Sequence, residues 1–139
     1  MVCYKYQKEF NETKARLVFA FGANELIGDN NTLKYLQKKY PLADIVSAST
    51  SGEIISDQVY DNTIVVNAIE FNQTKIKCVQ TNLSLHANSL ETGKFLMEQI
   101  DIEDLSAIFI LSDGTQVNGS DLIIGLNEKT LSLFLFQEA

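Results

Sequence analysis

The sequence predicts one α/β domain over residues 1–139, with a mixed, mostly parallel sheet, helices on its faces and one antiparallel hairpin. Three observations predict this class. A length of 139 residues suits one domain. Short apolar runs rich in β-branched and aromatic residues alternate with segments of helical periodicity. The first strand, helix and second strand fit within about 30 residues, which is typical of a parallel βαβ unit.

The first two strands are predicted from continuous apolar runs. Arg16–Phe21 is short, contains β-branched and aromatic residues, and ends at Gly22. This pattern predicts a strand that is buried on both faces. Asp44–Ala48 has the same character and predicts a second buried strand, parallel to the first.

A helix is predicted between these strands. Asp29–Thr32 supplies residues that favour the N-cap position. Leu33, Leu36 and Tyr40 follow at helical spacing, and Pro41 ends the helix.

An antiparallel hairpin is predicted next. Thr63–Phe71 and Lys75–Thr81 are rich in β-formers, and three residues separate them. So short a connection favours direct antiparallel pairing of the two runs.

The second half of the chain continues the alternation. Asn88–Ile100 is a predicted helix, because Asn88 and Glu91 match a capping box. Ala107–Leu111 predicts a buried strand, and a short helix is expected over Ser120–Leu126.

Leu131–Phe136 is a predicted final strand, and its neighbours must come from earlier in the chain. If this stretch stays unpaired, its edge favours pairing with another chain, and the domain is then a homo-oligomeric assembly module.

Composition and charge exclude several classes of protein. The net charge of −7 argues against nucleic acid and anionic membrane as partners, because both require clustered cations. The densest basic cluster, at Lys34, Lys38 and Lys39, is too small for that purpose. No apolar run reaches the ~18–20 residues that span a membrane, and the N-terminus lacks a signal-peptide core. The expected location is the cytoplasm.

No metal, cofactor or catalytic residue is predicted. The chain has two cysteines and one histidine, which cannot make a zinc ligand set. It has no P-loop and no dinucleotide-binding glycine motif. Ser49 has no nucleophile-elbow motif around it, and His86 lies before a predicted helix with no evident relation to it. We therefore predict that the protein is not an enzyme. The alternative is a hydrolase-like enzyme that uses Asp113 or Ser49.

Two polar, glycine-bearing loops follow the predicted strands 44–48 and 107–111, and in α/β sheets such strand ends bind ligands. Glycine permits left-handed backbone or close approach there. A carboxylate pairs with a ligand ammonium, and the N-terminus of the helix near Ser120 suits a ligand carboxylate, so an amino acid would fit. The alternative is plain turn chemistry, since Asp-Gly and Asn-Gly pairs are common turn formers. The candidate ligand contacts are Thr50, Ser51, Gly52, Glu53, Asp113, Gly114 and Asn118.

These segments resemble the N-terminal domain of the FIST family. Ala43–Ile54, with its Ser-Thr-Ser-Gly-Glu-Ile ending, is similar to the family's S-T-x-G-E-I signature. Asp61–Phe71 is similar to the strand that follows it there. Leu111–Gly114 and Val117–Leu122 resemble the second hallmark, S-D-G-x-x-x-N-G. The resemblance covers roughly residues 17–127.

The resemblance implies a bacterial, intracellular sensory module that binds a small polar ligand. Amino acids are the proposed ligands of the family, and its partners are signalling domains such as histidine kinases, cyclases and chemotaxis transducers. A homodimer is also considered. The family domain normally continues into a Gly-Gly-x-Ala-x-Asp-like segment and a second domain, neither of which precedes Ala139. We therefore expect the chain to be part of a FIST N-terminal domain that is truncated before its second half.

Overall fold

The structure, a computed structural model, describes residues 10–55, 57–103 and 105–128, and the backbone of residues 134–138. The chain divides into two compact units, Met1–Ile76 and Lys77–Ala139, and each is described by itself. The predicted α/β class with a mixed sheet is confirmed. No helix among the described residues is long and apolar enough to cross a membrane.

The first unit contains a three-stranded sheet, a separate two-stranded hairpin and two helices. Its elements are strand β1 (Leu17–Gly22), helix α1 (Asn24–Ile27), helix α2 (Asn30–Lys39), and strands β2 (Asp44–Ser49), β3 (Glu53–Ile55), β4 (Gln58–Tyr60) and β5 (Ile64–Ile69). The sheet has the order β2-β1-β5, with β1 parallel to β2, as predicted, and antiparallel to β5. Helix α2 is also confirmed, and Asp29 caps it by accepting the Asn31 N–H. The short helix α1 is not among the predicted elements.

The predicted pairing of Thr63–Phe71 with Lys75–Thr81 is wrong. Strand β5 pairs with β1, and residues 74–81 form no strand. Lys75 and Lys77 are exposed, so this segment has little apolar surface to gain by joining a sheet. The antiparallel hairpin is β3–β4, in which Ile54 lies opposite Val59.

Burial of the first sheet is one-sided. Val18 and Ala20 of β1 are fully buried and pack in a core with Leu36 and Tyr40. The alternate residues of β1 are only half-buried, and three positions of β2 are exposed. The prediction that both strands are buried on both faces is therefore wrong, because the helix-covered face alone is sealed.

The second unit has its own core and a closely packed helix pair. Its elements are helix α3 (Ser89–Glu98), strand β6 (Ile108–Ser112), helix α4 (Gly119–Asn127) and strand β7 (Phe134–Glu138). Its buried core consists of Met97, Ile110, Leu122 and Leu126. The two predicted helices and the strand between them are confirmed, and Asn88 caps α3 by accepting the Glu91 N–H. The prediction that this strand is buried holds for Ile110 but is wrong for Phe109, which is 48% exposed.

Two glycines set the distance between α3 and α4. A Cβ on Gly93 would collide with the carbonyl oxygen of Leu122, and a Cβ on Gly125 would collide with that of Leu90. Near their N-termini the helices are joined by the Ser89–Asn118 bond, and further along by the 2.9 Å ion pair of Lys94 with Glu128. The contacts therefore follow the same order along α3 and α4, so the two helices point in the same direction and their N-termini are adjacent.

Strand β7 tests part of the prediction made for the apolar residues 131–136. Residues 131–133 of the predicted strand lie outside the described residues. The backbone of Phe134–Glu138 pairs in parallel with β6, from Ile108↔Phe134 to Ser112↔Glu138. The expected neighbour therefore comes from earlier in the chain.

Candidate functional site

The Thr50–Glu53 loop is organised around a buried carboxylate. Glu53 is only 4% exposed. Thr50 Oγ1 donates to its Oε1 at 2.5 Å, and Thr63 Oγ1 donates to its Oε2 at 2.6 Å. We call Thr50, Glu53 and Thr63 the threonine–glutamate cluster. It ties the loop after β2 to the residue just before β5.

Backbone hydrogen bonds also join the ends of these strands. The Thr50 N–H donates to the Gly22 carbonyl at 3.0 Å, and the Ala23 N–H donates to the Thr63 carbonyl at 3.1 Å. A Cβ on Gly22 would lie 2.5 Å from the Thr63 carbonyl oxygen, so only glycine fits there. These two bonds join the carboxyl ends of β1 and β2 and the start of β5 within the first unit.

The glycines act through close approach and not through left-handed backbone. No glycine among the described residues has a positive φ, whereas Asn62, just before Thr63, has φ 53°. Asparagine tolerates this region better than most residues do. The positive φ needed to turn the chain into β5 is therefore supplied by Asn62.

The electrostatics of Glu53 follow from its neutral donors. The Thr50 hydroxyl, and then that of Thr63, hold the pKa of Glu53 below its usual range, against the opposing effect of burial. No ion pair involves Glu53 among the described residues. Both carboxylate oxygens already accept internal bonds, whereas Ser51 and Gly52 are exposed. The buried carboxylate therefore orients the loop, and the loop's exposed tip is the part accessible to a ligand.

The second candidate loop, residues 112–118, is here called the Asp113 loop. Asp113 is exposed and accepts three hydrogen bonds within its own turn. Its Oδ1 accepts from the Thr115 N–H at 2.9 Å and from the Thr115 hydroxyl at 2.6 Å, and its Oδ2 accepts from Gln116 Nε2 at 2.8 Å. The exposed Gly114 lies within the turn. These bonds, the Thr115 hydroxyl first, lower the pKa of Asp113, so the carboxylate stays ionised near neutral pH.

Asn118 is the N-cap of α4. Its side chain accepts the Asp121 N–H at 3.2 Å, and its own N–H donates to Ser89 Oγ at 3.0 Å. Ser89 is the first residue of α3 and is 8% exposed. The loop is therefore fixed at the adjacent N-termini of two helices, where backbone N–H groups favour anions. Asp121 and Glu91, in the first turns, already supply negative charge there.

Ser112, which sequence reasoning left out of the candidate contacts, has an unusual environment. It ends β6, and strand alternation puts it on the same face as the core residues Ile108 and Ile110. Its Oγ is buried and has no hydrogen-bond partner among the described residues. A buried polar atom without a partner is uncommon and calls for an explanation, such as a water or ligand. The only signal in the sequence was a hydroxyl beside Asp113 at a strand end.

The predicted contacts thus fall into two groups. Thr50 and Glu53 meet in the first unit, and Thr63, which sequence reasoning also missed, completes that cluster. Asp113 and Asn118 share one loop of the second unit. Thr63 stands ten residues from Glu53, so no local motif could have revealed the contact.

The catalytic alternative gains no geometric support. Ser49 is exposed at the end of β2. His86 Nε2 lies 2.8 Å from Thr81 Oγ1, and its ring lies 4.7 Å from that of Phe95. Over the part of the chain that is described, no three His, Cys, Asp or Glu side chains group to hold a metal.

Comparison with known proteins identifies a family. The family model described as the FIST N domain matches residues 16–135, which is most of the chain. No curated protein and no solved structure matches. The predicted resemblance of the chain to the FIST N-terminal domain is thereby confirmed.

Proposed function

Because the chain belongs to the FIST N domain family, whose members are sensory domains of signal transduction, we propose that it binds a small polar ligand at the Asp113 loop. The ligand class is free amino acids or similar zwitterions, sensed in the bacterial cytoplasm. Binding is then transmitted to a downstream signalling domain or protein. The family is sensory and not enzymatic, which fits a site that binds without turnover.

The buried Ser112 hydroxyl is the observation that carries this proposal. An unsatisfied buried hydroxyl costs roughly 1–3 kcal/mol, and a ligand polar atom would remove that cost. Asp113, the next residue, presents an ionised carboxylate to solvent. A buried hydroxyl and an exposed charge are thus supplied by consecutive residues at the carboxyl end of a parallel strand, where α/β folds commonly bind ligands.

The chemistry of the loop suits a zwitterion. Asp113 is exposed, and Gln116 Nε2 donates to its Oδ2, so the carboxylate keeps a solvent-facing lone pair for a ligand ammonium. The ligand carboxylate is assigned to Ser112 Oγ and to backbone N–H groups near Gly114 and the start of α4. Asn118 caps α4 and positions the loop, and also remains a proposed contact through its amide.

The first unit is treated by itself: there we assign the exposed residues Thr50, Ser51 and Gly52 as contacts for a small polar ligand at their own loop. Glu53 is assigned mainly a positioning role, because its two oxygens already accept threonine hydroxyls. A sensory response requires that the ligand bind one conformation more tightly than another. Each loop is a segment whose conformation a ligand bound at that loop would favour.

Titration calorimetry of the intact chain against a panel of amino acids tests the proposal. We expect at least one member to bind, and Asp113→Asn to weaken it by at least ~10-fold through loss of a charge-assisted bond. Ser112→Ala should weaken binding without lowering the free energy of unfolding, because it removes an unsatisfied hydroxyl.

Asp101→Asn is a matched control. Asp101 is exposed and accepts the Glu103 N–H at 3.1 Å, the same local bond that Asp113 makes with Thr115. This control should leave the affinity unchanged. Circular dichroism checks that each variant is folded. No heat from any amino acid with the folded wild type would refute the proposal, and so would full affinity in both loop variants.

A further inference from the structure

The exposed side of α2 is basic and aromatic in an otherwise acidic chain. Lys34, Tyr35 and Lys38 are all exposed, with Tyr35 at 48%. Lys39 Nζ lies 5.7 Å from the Tyr35 ring centroid. The helix, Asn30–Lys39, contains no acidic residue. Lys34 and Lys38 lie one helical turn apart on one side of the helix, and Tyr35 lies about one turn before Lys38; we call these three exposed residues the α2 face.

Charge is distributed unequally along the sequence. Residues 1–76 carry nine carboxylates and eight basic residues, a formal charge of −1, whereas residues 77–139 carry nine carboxylates and three lysines, a formal charge of −6. Two copies of the chain therefore repel least, and attract most, where the α2 face of one meets an acidic surface of the other.

The turn that follows α3 supplies such a surface. Asp101, Ile102 and Glu103 are all exposed, and Ile102 is 46% exposed. Asp101 Oδ1 accepts the Glu103 N–H at 3.1 Å, so the two acidic residues belong to one turn, with Ile102 between them in sequence. None of Lys34, Lys38, Asp101 and Glu103 forms an ion pair within the part of the chain described here. Two exposed cations one helical turn apart thus have two exposed anions in one turn as their complement.

We propose that the α2 face of one copy binds the Asp101–Glu103 turn of a second copy. Helix stability alone accounts for Lys38 and Lys39, since cations stabilise the last turn of a helix. It does not account for Lys34, which lies a turn earlier, or for the exposed ring of Tyr35. The contact joins different surfaces on the two copies, so it forms a ring or an open chain according to the rotation between copies. The patch is small, so the association is weak and sensitive to salt.

Sedimentation analysis of the whole chain at several concentrations tests this contact. We expect association at low salt that is lost near 1 M salt, where the Debye length falls to about 3 Å. Lys34→Glu/Lys38→Glu and Asp101→Lys/Glu103→Lys should each weaken self-association by at least ~10-fold. Mixing these two variants restores opposite charge at the contact, so the mixture should associate although neither variant does alone.

Lys14→Glu/Lys75→Glu is the control, because it changes the net charge equally at two other exposed lysines of the first unit. It should associate as the wild type does. Three outcomes would overturn the proposal: a monomeric wild type at low salt, an equal loss in the control, or a mixture of folded variants that stays monomeric. None of them bears on ligand binding at the Asp113 loop.

Discussion

The threonine–glutamate cluster and the Asp113 loop use the same chemistry in opposite surroundings. In each, a carboxylate accepts threonine hydroxyls, and those bonds lower its pKa. Glu53 is 4% exposed, whereas Asp113 is exposed. Glu53 also binds a residue ten positions away, whereas the partners of Asp113 lie within three.

The difference in burial distinguishes a carboxylate that stabilises the fold from one that is accessible to a ligand. A buried charge must have its acceptor sites filled, so Glu53 holds two segments of the chain together. An exposed carboxylate has no such requirement, so Asp113 orders its own turn and keeps capacity for a ligand. A shared sequence pattern, a carboxylate beside Gly and Thr, therefore gives different roles according to burial.

The largest expected effect comes from removing the framework of the Asp113 loop. Gly125→Ala pushes a methyl group into the Leu90 carbonyl of α3 and forces the helices apart. We expect a loss of at least ~3 kcal/mol in unfolding free energy, despite the better helix propensity of alanine. Urea denaturation followed by circular dichroism measures it. Ile124→Ala, at an exposed position of the same helix, is the control. Equal stability of the two variants would contradict the close helix contact.

A smaller effect compares the two carboxylates directly. Glu53→Gln keeps the shape of the side chain but loses two charge-assisted bonds in a buried site, so we expect a loss of about 2 kcal/mol. Asp113→Asn should leave the denaturation midpoint within experimental error, because its site is exposed to water. An equal loss of unfolding free energy in Asp113→Asn and Glu53→Gln would contradict the different roles of the two carboxylates.

The smallest expected effect is on the loss of unfolding free energy at acid pH. The folded pKa of Glu53 lies below its ordinary value of 4.5, so its stabilising contribution is present above that value and lost as pH falls through the folded pKa. Thr50→Val removes the main cause and raises the folded pKa. The loss of unfolding free energy between neutral pH and pH below 4.5 should then shrink by about 1 kcal/mol. Denaturation curves at the two pH values measure it.

Thr115→Val is the counterpart of that variant, because it removes the main donor to Asp113. Its effect on acid sensitivity should be smaller, since water replaces the lost hydroxyl. Identical acid sensitivity of Thr50→Val and the wild type would show that the Thr50 bond does not hold the pKa of Glu53 down.

Elements with a local signal were predictable. Asp29, Asn88 and Asn118 each cap the helix that follows, and cap chemistry depends on neighbouring residues alone. The pairing of β5 was not predictable, because Thr63–Phe71 suits a hairpin or a more distant strand equally well. It pairs with β1, from Leu17↔Ile69 to Gly22↔Ile64, so its partner lies too far away in the chain for a local pattern to select it.

The candidate site divides in the same way. Asp113 and Asn118 were found from turn chemistry and family motifs, and both do shape one loop. Thr63 and Ser112 were missed. Thr63 acts across ten residues, and Ser112 is notable only because its hydroxyl is buried with no partner among the described residues.

By itself the sequence determined the α/β class, the order of helices and the main strands, the family, and the residues of both loops. Periodicity, capping and motif spacing are local properties of the chain, so they can be recognised without a fold. Only the tertiary structure decided that Glu53 is buried and Asp113 is not, that β5 joins β1, and that Gly93 and Gly125 bring two helices into backbone contact. Burial and packing depend on which distant segments meet, and that is a property of the whole chain.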